Sequence, residues 1–518
     1  MVSLSGAQQS CLRRAAVLVG AVSLAVLAGC KSPGVPVTGA NAESPDASFT
    51  QSETSITTSY AGKYIVVVAY NDETNESATI QYTSTTRKIL AGASLMGWSY
   101  SLDRGKSWTH GGKVKPPKDW AVLWGDPAVT TSEGAYQYVF MSNLAIPSSK
   151  MPAGGINGSV IVSGDDSYIG GACIARSVDG GITFKNYQCV SRTEKNNVPN
   201  SEKGHFYDGG SMASSRKGEI YAAFVDVTTD QIDVYRAPDE EAQFALLPPP
   251  FPTLAIKSHP RLRVNLADGT LYVAAQTSDG TVYMNRYKGG QWGQPVAAAF
   301  GVLYPCVAFE SNACTPSHQC VSGKLCLRTG PQFSFAIGAA SDSEGTDAIR
   351  IMTTQWSEEA KRFYVEGYAC PLSLSPHCSY VPQWGTTPGN LNSPGDQFAP
   401  TVAAWPGFIG LPPAWQAAYL DRSGNPAGTV TLKRGSLAYL PGPPAKPIFV
   451  PFSLITNMTV CPDDRGYWGD YDDLAFIGFE KESTTAEFLR TMSDSSLGCA
   501  KRWTYTSQHL HIRGGTFK

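Results

Sequence analysis

Seven polar residues or residue pairs recur along this chain, each just ahead of a short apolar run. They are Glu53, Asp126, Asp208, His259 with Arg261, Gln332, Asp396 with Gln397, and Asp470 with Tyr471. Gathered in one place, such carboxylates, amides, an imidazole and a guanidinium could orient a polar ligand. With a carboxylic acid beside a nucleophile they could also act on it. Spread along the chain they do nothing. The first question is therefore which fold would bring them together.

The stretch His259 to Thr277, HPRLRVNLADGTLYVAAQT, gives the repeating unit. A polar opener leads into an alternating run, then an Ala-Asp-Gly turn, then a second apolar and aromatic run. Alternation marks a half-buried strand, and Asp-Gly between two such runs marks a hairpin. Similar units open at Glu53 (ETSITTSYAGKYIVVVAY), Asp126 (DPAVTTSEGAYQYVFMS) and Asp208 (DGGSMASSRKGEIYAAFVD). Looser copies follow Gln332, Gln397 and Asp470. Copies spaced roughly 50 to 80 residues apart fall in the regime of propeller blades. The expectation is an all-β chain, a β-propeller of four-stranded antiparallel blades. Seven blades are favoured and six are the alternative. The last repeat, ending in Arg502 to Arg513, is short of outer strands, so residues ahead of Glu53 are expected to help close the ring. In a propeller the innermost strands begin at one rim of the central channel, and there the seven openers should converge.

Two further stretches share a pattern, S-x-D-x-G-x-[ST]-[WF]. One is Ser101, Asp103, Gly105, Ser107 and Trp108; the other is Ser177, Asp179, Gly181, Thr183 and Phe184. The Asp can accept backbone N–H bonds inside a turn, the Gly permits positive φ, and the aromatic can pack between sheets. The pattern resembles the Asp box, or BNR repeat, of sialidases and related β-propellers, where it staples a hairpin on the blade periphery. That resemblance implies a propeller and gives the boxes a structural role.

It also implies what sialidase chemistry would require: three arginines on the substrate carboxylate, a Tyr nucleophile with a Glu, and an Asp as acid and base. Arg261, with Arg263 two residues on, is placed for the carboxylate. Arg350, Arg422 and Arg465 lie near other strands or loops. Tyr207 or Tyr471 would be the nucleophile, and Asp126 or Asp208 the acid. The F/Y-R-I-P motif of sialidases is replaced here by HPRLRV. The favoured function is accordingly a binding module, recognising a glycan or protein ligand at the channel mouth. A sialidase-type or related exo-acting glycoside hydrolase is the alternative, and a scaffold or assembly factor is a third reading.

Composition bounds the rest. The 518 residues include 51 Gly, 35 Pro and 24 Tyr with only 16% charged, which suits many short strands joined by turns. A net charge of −2 gives no reason to expect nucleic acid as a partner. Arg13 and Arg14 precede an apolar run, Ala15 to Leu27, that is short for a bilayer span and ends in Leu27-Ala28-Gly29-Cys30. This resembles a bacterial lipobox, which implies residues 1–29 as a signal peptide and Cys30 as the lipidated residue. Residues 30–50 then read as a tether and 51–518 as the propeller. The protein is expected to be an exported monomer, anchored to the cell envelope by its lipid. In a Gram-negative host, Lys31 after the lipidated Cys would favour the outer membrane.

Ten cysteines follow Cys30, an even number in an exported chain, and disulfides are expected. Cys173 with Cys189 and Cys370 with Cys378 flank hairpins or short loops, and Cys461 is left with Cys499. Cys306, Cys314, Cys320 and Cys326 allow three pairings. They contain no CxxC and have only His318 nearby, which disfavours zinc. No metal or cofactor is required. Calcium is the ion that the acidic run Asp463, Asp464, Asp470, Asp472 and Asp473 would suit.

Overall fold

The computed structural model describes residues 35–36, 51–59, 65–72, 80–82, 87–105, 107–132, 138–150, 156–157, 170–191, 205–303, 305–308, 326–328, 333–338, 348–374, 378–381, 395–405, 414–422, 429–440, 446–459, 473–479, 486–494 and 511–517. Among the described residues, seven antiparallel sheets of four or five strands carry the fold. Their innermost strands are Gln51–Ser59, Trp120–Thr131, Tyr207–Ser214, Arg261–Val264, Phe333–Ile337, Gln397–Trp405 and Asp473–Phe479. Each inner strand lies against the inner strand of the next sheet, and the seventh lies against the first. The result is a closed β-propeller ring. The seventh sheet takes its fourth strand from far ahead in the chain, where Val35–Pro36 pairs antiparallel with His511–Phe517. The pairing closes the ring and covers an open edge. It also puts Val35–Pro36, from the stretch 30–50 expected to be a tether, into the propeller, which therefore starts ahead of residue 51.

Sequence pattern explains the layering. Second strands sit between neighbouring sheets, and the most apolar of them are covered on both faces. Ile220–Asp226 is buried at every residue. The inner strand Arg261–Val264 alternates instead, with Leu262 and Val264 buried and Arg261 and Arg263 half-buried. The core is a set of layers, one between each pair of sheets. Between the first two sheets, Val67, Met96, Trp98, Val129, Met141 and Phe184 pack together. Trp98 meets Phe184 edge-on with ring centroids 5.5 Å apart, a contact worth about 0.5–1.5 kcal/mol beyond its burial.

Serine hydroxyls join the inner strands across sheets. Ser55 Oγ accepts the N–H of Val129 (3.1 Å), Ser211 Oγ that of Leu262 (2.9 Å), and Ser334 Oγ that of Val402 (3.1 Å). Each bond satisfies a backbone donor on an inner edge that has no fifth strand to pair with.

Both S-x-D-x-G-x-[ST]-[WF] boxes form the turn between third and fourth strands, and their bonding is the same. In the first, Gly105 N–H donates to Ser101 Oγ (2.7 Å), whose own hydrogen goes to Asp103 Oδ1 (2.8 Å). Ser107 donates its N–H and hydroxyl to the two Asp103 oxygens. In the second, Gly181, Ser177, Thr183 and Asp179 repeat those bonds at 2.7, 2.7, 2.9 and 2.7 Å. The second box packs on Ile65 and Val67 of the first sheet, at the strand end opposite Asp72. The disulfides Cys173–Cys189 and Cys370–Cys378 are present as expected. The side chains of the other six expected disulfide cysteines lie outside the described residues.

Candidate functional site

Three of the seven openers meet. Asp126, Asp208 and His259 come from the second, third and fourth sheets, and one ligand atom of each lies within 4.8 Å of the others. Asp126 and Asp208 are half-buried, whereas the His259 side chain is only 3% exposed. The cluster is therefore wet on its carboxylate side and dry behind the imidazole.

Two irregular strand segments aim the carboxylates. Gly125 pairs with Leu144 and Ala128 with Ser142, so Asp126 and Pro127 together face the single residue Asn143. Pro127 has no N–H to give to a ladder, which suits it to such a bulge. Asp126 holds φ at +53°, a left-handed conformation that Asp tolerates better than most residues. In the third sheet Gly209 is the extra residue, between the Asp208–Val225 and Gly210–Phe224 pairs, again with φ of +53°. A Cβ on Gly209 would stand 2.3 Å from Cγ of His259. The imidazole thus occupies the space that a side chain would fill, and only glycine allows the approach. Bulges of this kind re-aim side chains next to sites.

Hydrogen bonds fix the result. Gly209 N–H is shared between Asp126 Oδ2 (3.1 Å) and Asp208 Oδ1 (3.0 Å). Asp208 Oδ2 stands 3.4 Å from His259 Nε2. Behind the cluster, Asn71 of the first sheet accepts the N–H of Asp126 on its Oδ1 at 2.8 Å. A Cβ on Gly125 would sit 2.5 Å from that same oxygen. Sequence reasoning missed Asn71 and Gly209. The available signals were the polar end of the run IVVVAYND and the Gly pair directly after Asp208.

The other openers divide. Glu53 lies in the inner strand of the first sheet, where a bulge sets Glu53 and Thr54 against Tyr70 as Asp126 and Pro127 are set against Asn143. Its side chain lies outside the described residues, as do Gln332, Asp470 and Tyr471, and with them Arg465 and the acidic side chains from Asp463 to Asp473. Arg261 is half-buried on its inner strand. Asp396 serves its neighbours: its Oδ1 accepts the Phe363 N–H (3.0 Å) and its carbonyl the Arg422 N–H (2.9 Å). Burial raises the Asp396 pKa, against the opposing pull of the Phe363 bond and the nearby Arg422 and Arg362. Gln397 is fully buried in the strand start.

Several sialidase expectations find their residues placed elsewhere. Tyr207 is buried between sheets, stacked on Phe224, with its hydroxyl donating to Asp233 Oδ2 (2.7 Å) and 2.6 Å from that of Tyr235. Burial pushes its pKa far above the ordinary tyrosine value, and Asp233 and Tyr235 push the same way, which disfavours a nucleophilic role. Arg350 is 2% exposed and lies over the Trp415 ring at 5.5 Å. Arg263 turns toward Phe335 of the fifth sheet, 6.0 Å from its ring. Among the described residues, no three of the candidate arginines are gathered at the cluster.

No protein-family model matches this chain, and no curated protein matches it. Solved structures that resemble it include the Hadza microbial sialidase Hz136, at 14% identity over 75% of this chain and 66% of that one, with a TM-score of 0.40. The intramolecular trans-sialidase from Ruminococcus gnavus gives 12% identity, 74% and 92% coverage and a TM-score of 0.41. The fucose-specific lectin from Aleuria aurantia gives 10%, 77% and 96%, with a TM-score of 0.34. At these values the likeness is one of architecture and carries no function across.

Proposed function

We propose that this chain is an exported, lipid-anchored propeller that binds a glycan at the rim where Asp126, Asp208 and His259 meet. The observation behind this reading is the convergence of three polar side chains from three successive sheets, aimed by two bulges at one half-exposed spot. Sugar hydroxyls donate hydrogen bonds, and two fixed carboxylates are strong, oriented acceptors for them. Arg261, half-exposed two residues beyond His259, would add a donor for an acidic sugar.

The test is a titration of the folded protein against a panel of neutral and sialylated oligosaccharides. Asp126→Asn and Asp208→Asn should each weaken binding at least ~10-fold, about 1.4 kcal/mol, while Asp179→Ala, in a box turn, should leave it unchanged. A glycan that binds all four proteins equally well places recognition elsewhere. One observation favours a second reading. The Asp126 and Asp208 carboxylates face one half-exposed spot, and a pair of carboxylates at one spot is what most glycosidases use. Turnover of a fluorogenic sialoside or another aryl glycoside, abolished in Arg261→Ala or Asp208→Asn, would convert the binding site into an active site. Anchoring is tested separately: Cys30→Ser should release the protein from the membrane fraction and remove the acyl mass from its N-terminus.

A further inference from the structure

We infer that Asp126, Asp208 and His259 bind one divalent first-row transition-metal ion, with Zn²⁺ the best fit. The proposal uses the same cluster as the glycan reading but does not depend on a glycan. Two oxygen donors and one imidazole nitrogen form a mixed set that suits zinc and its neighbours, whereas calcium and magnesium take oxygen almost throughout. The three residues come from three different sheets, so the fold itself sets their spacing. Asp208 Oδ2 and His259 Nε2 are 3.4 Å apart. Two ligands of a tetrahedral ion bound at 2.0–2.1 Å stand about 3.3–3.4 Å from each other.

The surroundings resemble an outer coordination sphere. Gly209 N–H holds Oδ2 of Asp126 and Oδ1 of Asp208, which restrains where both carboxylates point. The Asn71 bond to the Asp126 backbone fixes the bulge that carries one of them. His259 is buried, and its ring fills the gap left by Gly209, so its orientation is set before any ion arrives. Two carboxylates this close repel each other, and a dication between them removes that cost. Three protein ligands leave a coordination position for water or for a hydroxyl of a bound sugar.

The experiment uses the untagged full-length protein, stripped with a chelator and titrated with Zn²⁺ alone, then with Mn²⁺ and Ca²⁺, without any glycan. Bound metal is counted by mass spectrometry and affinity is read by competition with a chromogenic chelator. The expected result is one Zn²⁺ per chain, bound more tightly than Ca²⁺. Asp126→Asn and Asp208→Asn, which replace ligands themselves, should each weaken it by more than the ~10- to 100-fold that losing an outer-shell partner costs. Acidification should release the ion, because protons compete for the imidazole and carboxylates. His259→Gln should act in the same direction, but its site is buried, so the two half-exposed Asp variants carry the decision, with circular dichroism to show that they fold. Zinc retained undiminished by both Asp variants, no stoichiometric binding by wild type, or a preference for Ca²⁺ would each overturn the proposal. Glycan binding that survives chelation would leave the recognition reading standing when the metal fails.

Discussion

The two ends of the ring are built on opposite rules. At the box end, two turns 76 residues apart repeat the same bonds with different side chains, since Ser107 is matched by Thr183 and Arg104 by Gly180. Those bonds join residues two or four apart in sequence. At the rim, the bonds instead reach across the chain: Asn71 to Asp126 and Asp126 to Gly209. Repetition persists where every sheet faces the same folding problem. It breaks where neighbouring sheets contribute different groups to one spot. Under the function proposed above, the box end serves stability and the rim serves ligand.

The largest effects should come from two glycines that separate these roles. A Cβ on Gly181 would lie 2.2 Å from Val67 Cγ2, and its φ is +97°; a Cβ on Gly209 would strike His259, with φ at +53°. Left-handed backbone and overpacking together make each Ala substitution cost about 2–4 kcal/mol, measured by urea denaturation. Gly181→Ala should lose stability alone, with glycan and metal affinity intact in the folded fraction. Gly209→Ala should lose stability and both affinities. Equal loss of ligand in the two variants would erase the distinction between the ends.

Carboxylates at the two ends should also respond oppositely to acid. Burial alone would raise the Asp179 pKa, but hydrogen bonds from Ser177 and Thr183 outweigh it and hold the carboxyl below its ordinary 3.8. A depressed folded value means stability that is present above the unfolded pKa and lost as pH falls through the folded one. Asp179→Ala should therefore cost about 1–2 kcal/mol near neutrality, and the gap to wild type should shrink below about pH 4. Asp396 has the reverse sign, because burial raises its pKa. Its contribution is fullest below the ordinary value and is lost as pH rises through the raised one. Asp396→Asn, which keeps an oxygen for the Phe363 N–H, should be at least as stable as wild type at neutral pH. A deficit there that grows with pH would contradict that sign.

The same contrast explains what the sequence could disclose. Box contacts are local, so S-x-D-x-G-x-[ST]-[WF] was enough to expect the Asp to accept backbone N–H bonds within the turn, while the bonds made by Ser101 and Ser177 came from the structure. Seven hairpin copies and a last repeat short of strands were enough to expect a ring closed by upstream residues, and Val35–Pro36 provides that strand. Convergence of Asp126, Asp208 and His259 followed from topology alone. What stayed hidden depends on register and on which face a side chain takes. The one-residue bulges put Asp126 and Gly209 in left-handed backbone, and nothing in DPAV or DGGS fixes that short of the pairing itself. Arg350 lies between Ile349 and Ile351 at the start of the strand Ile349–Ser357, and its partner is a tryptophan of the sixth sheet, far along the chain.

The smallest predicted effect uses one box to correct the other. Arg104 and Gly180 hold the same place in the two turns, at φ of +63° and +78°. Glycine adopts that conformation freely, while a residue with a Cβ is strained there by about 1–2 kcal/mol. Replacing Arg by Gly also frees the unfolded chain, which returns about 0.5–1 kcal/mol of that gain. Arg104→Gly should therefore stabilise the protein slightly, by ~0.5 kcal/mol, a rise in urea midpoint at constant slope. The ligand end should not respond at all. A loss instead would mean that the contacts of the Arg104 side chain outweigh the strain of its backbone, and that the two boxes, alike in every bond of the turn, differ in what they hold outside it.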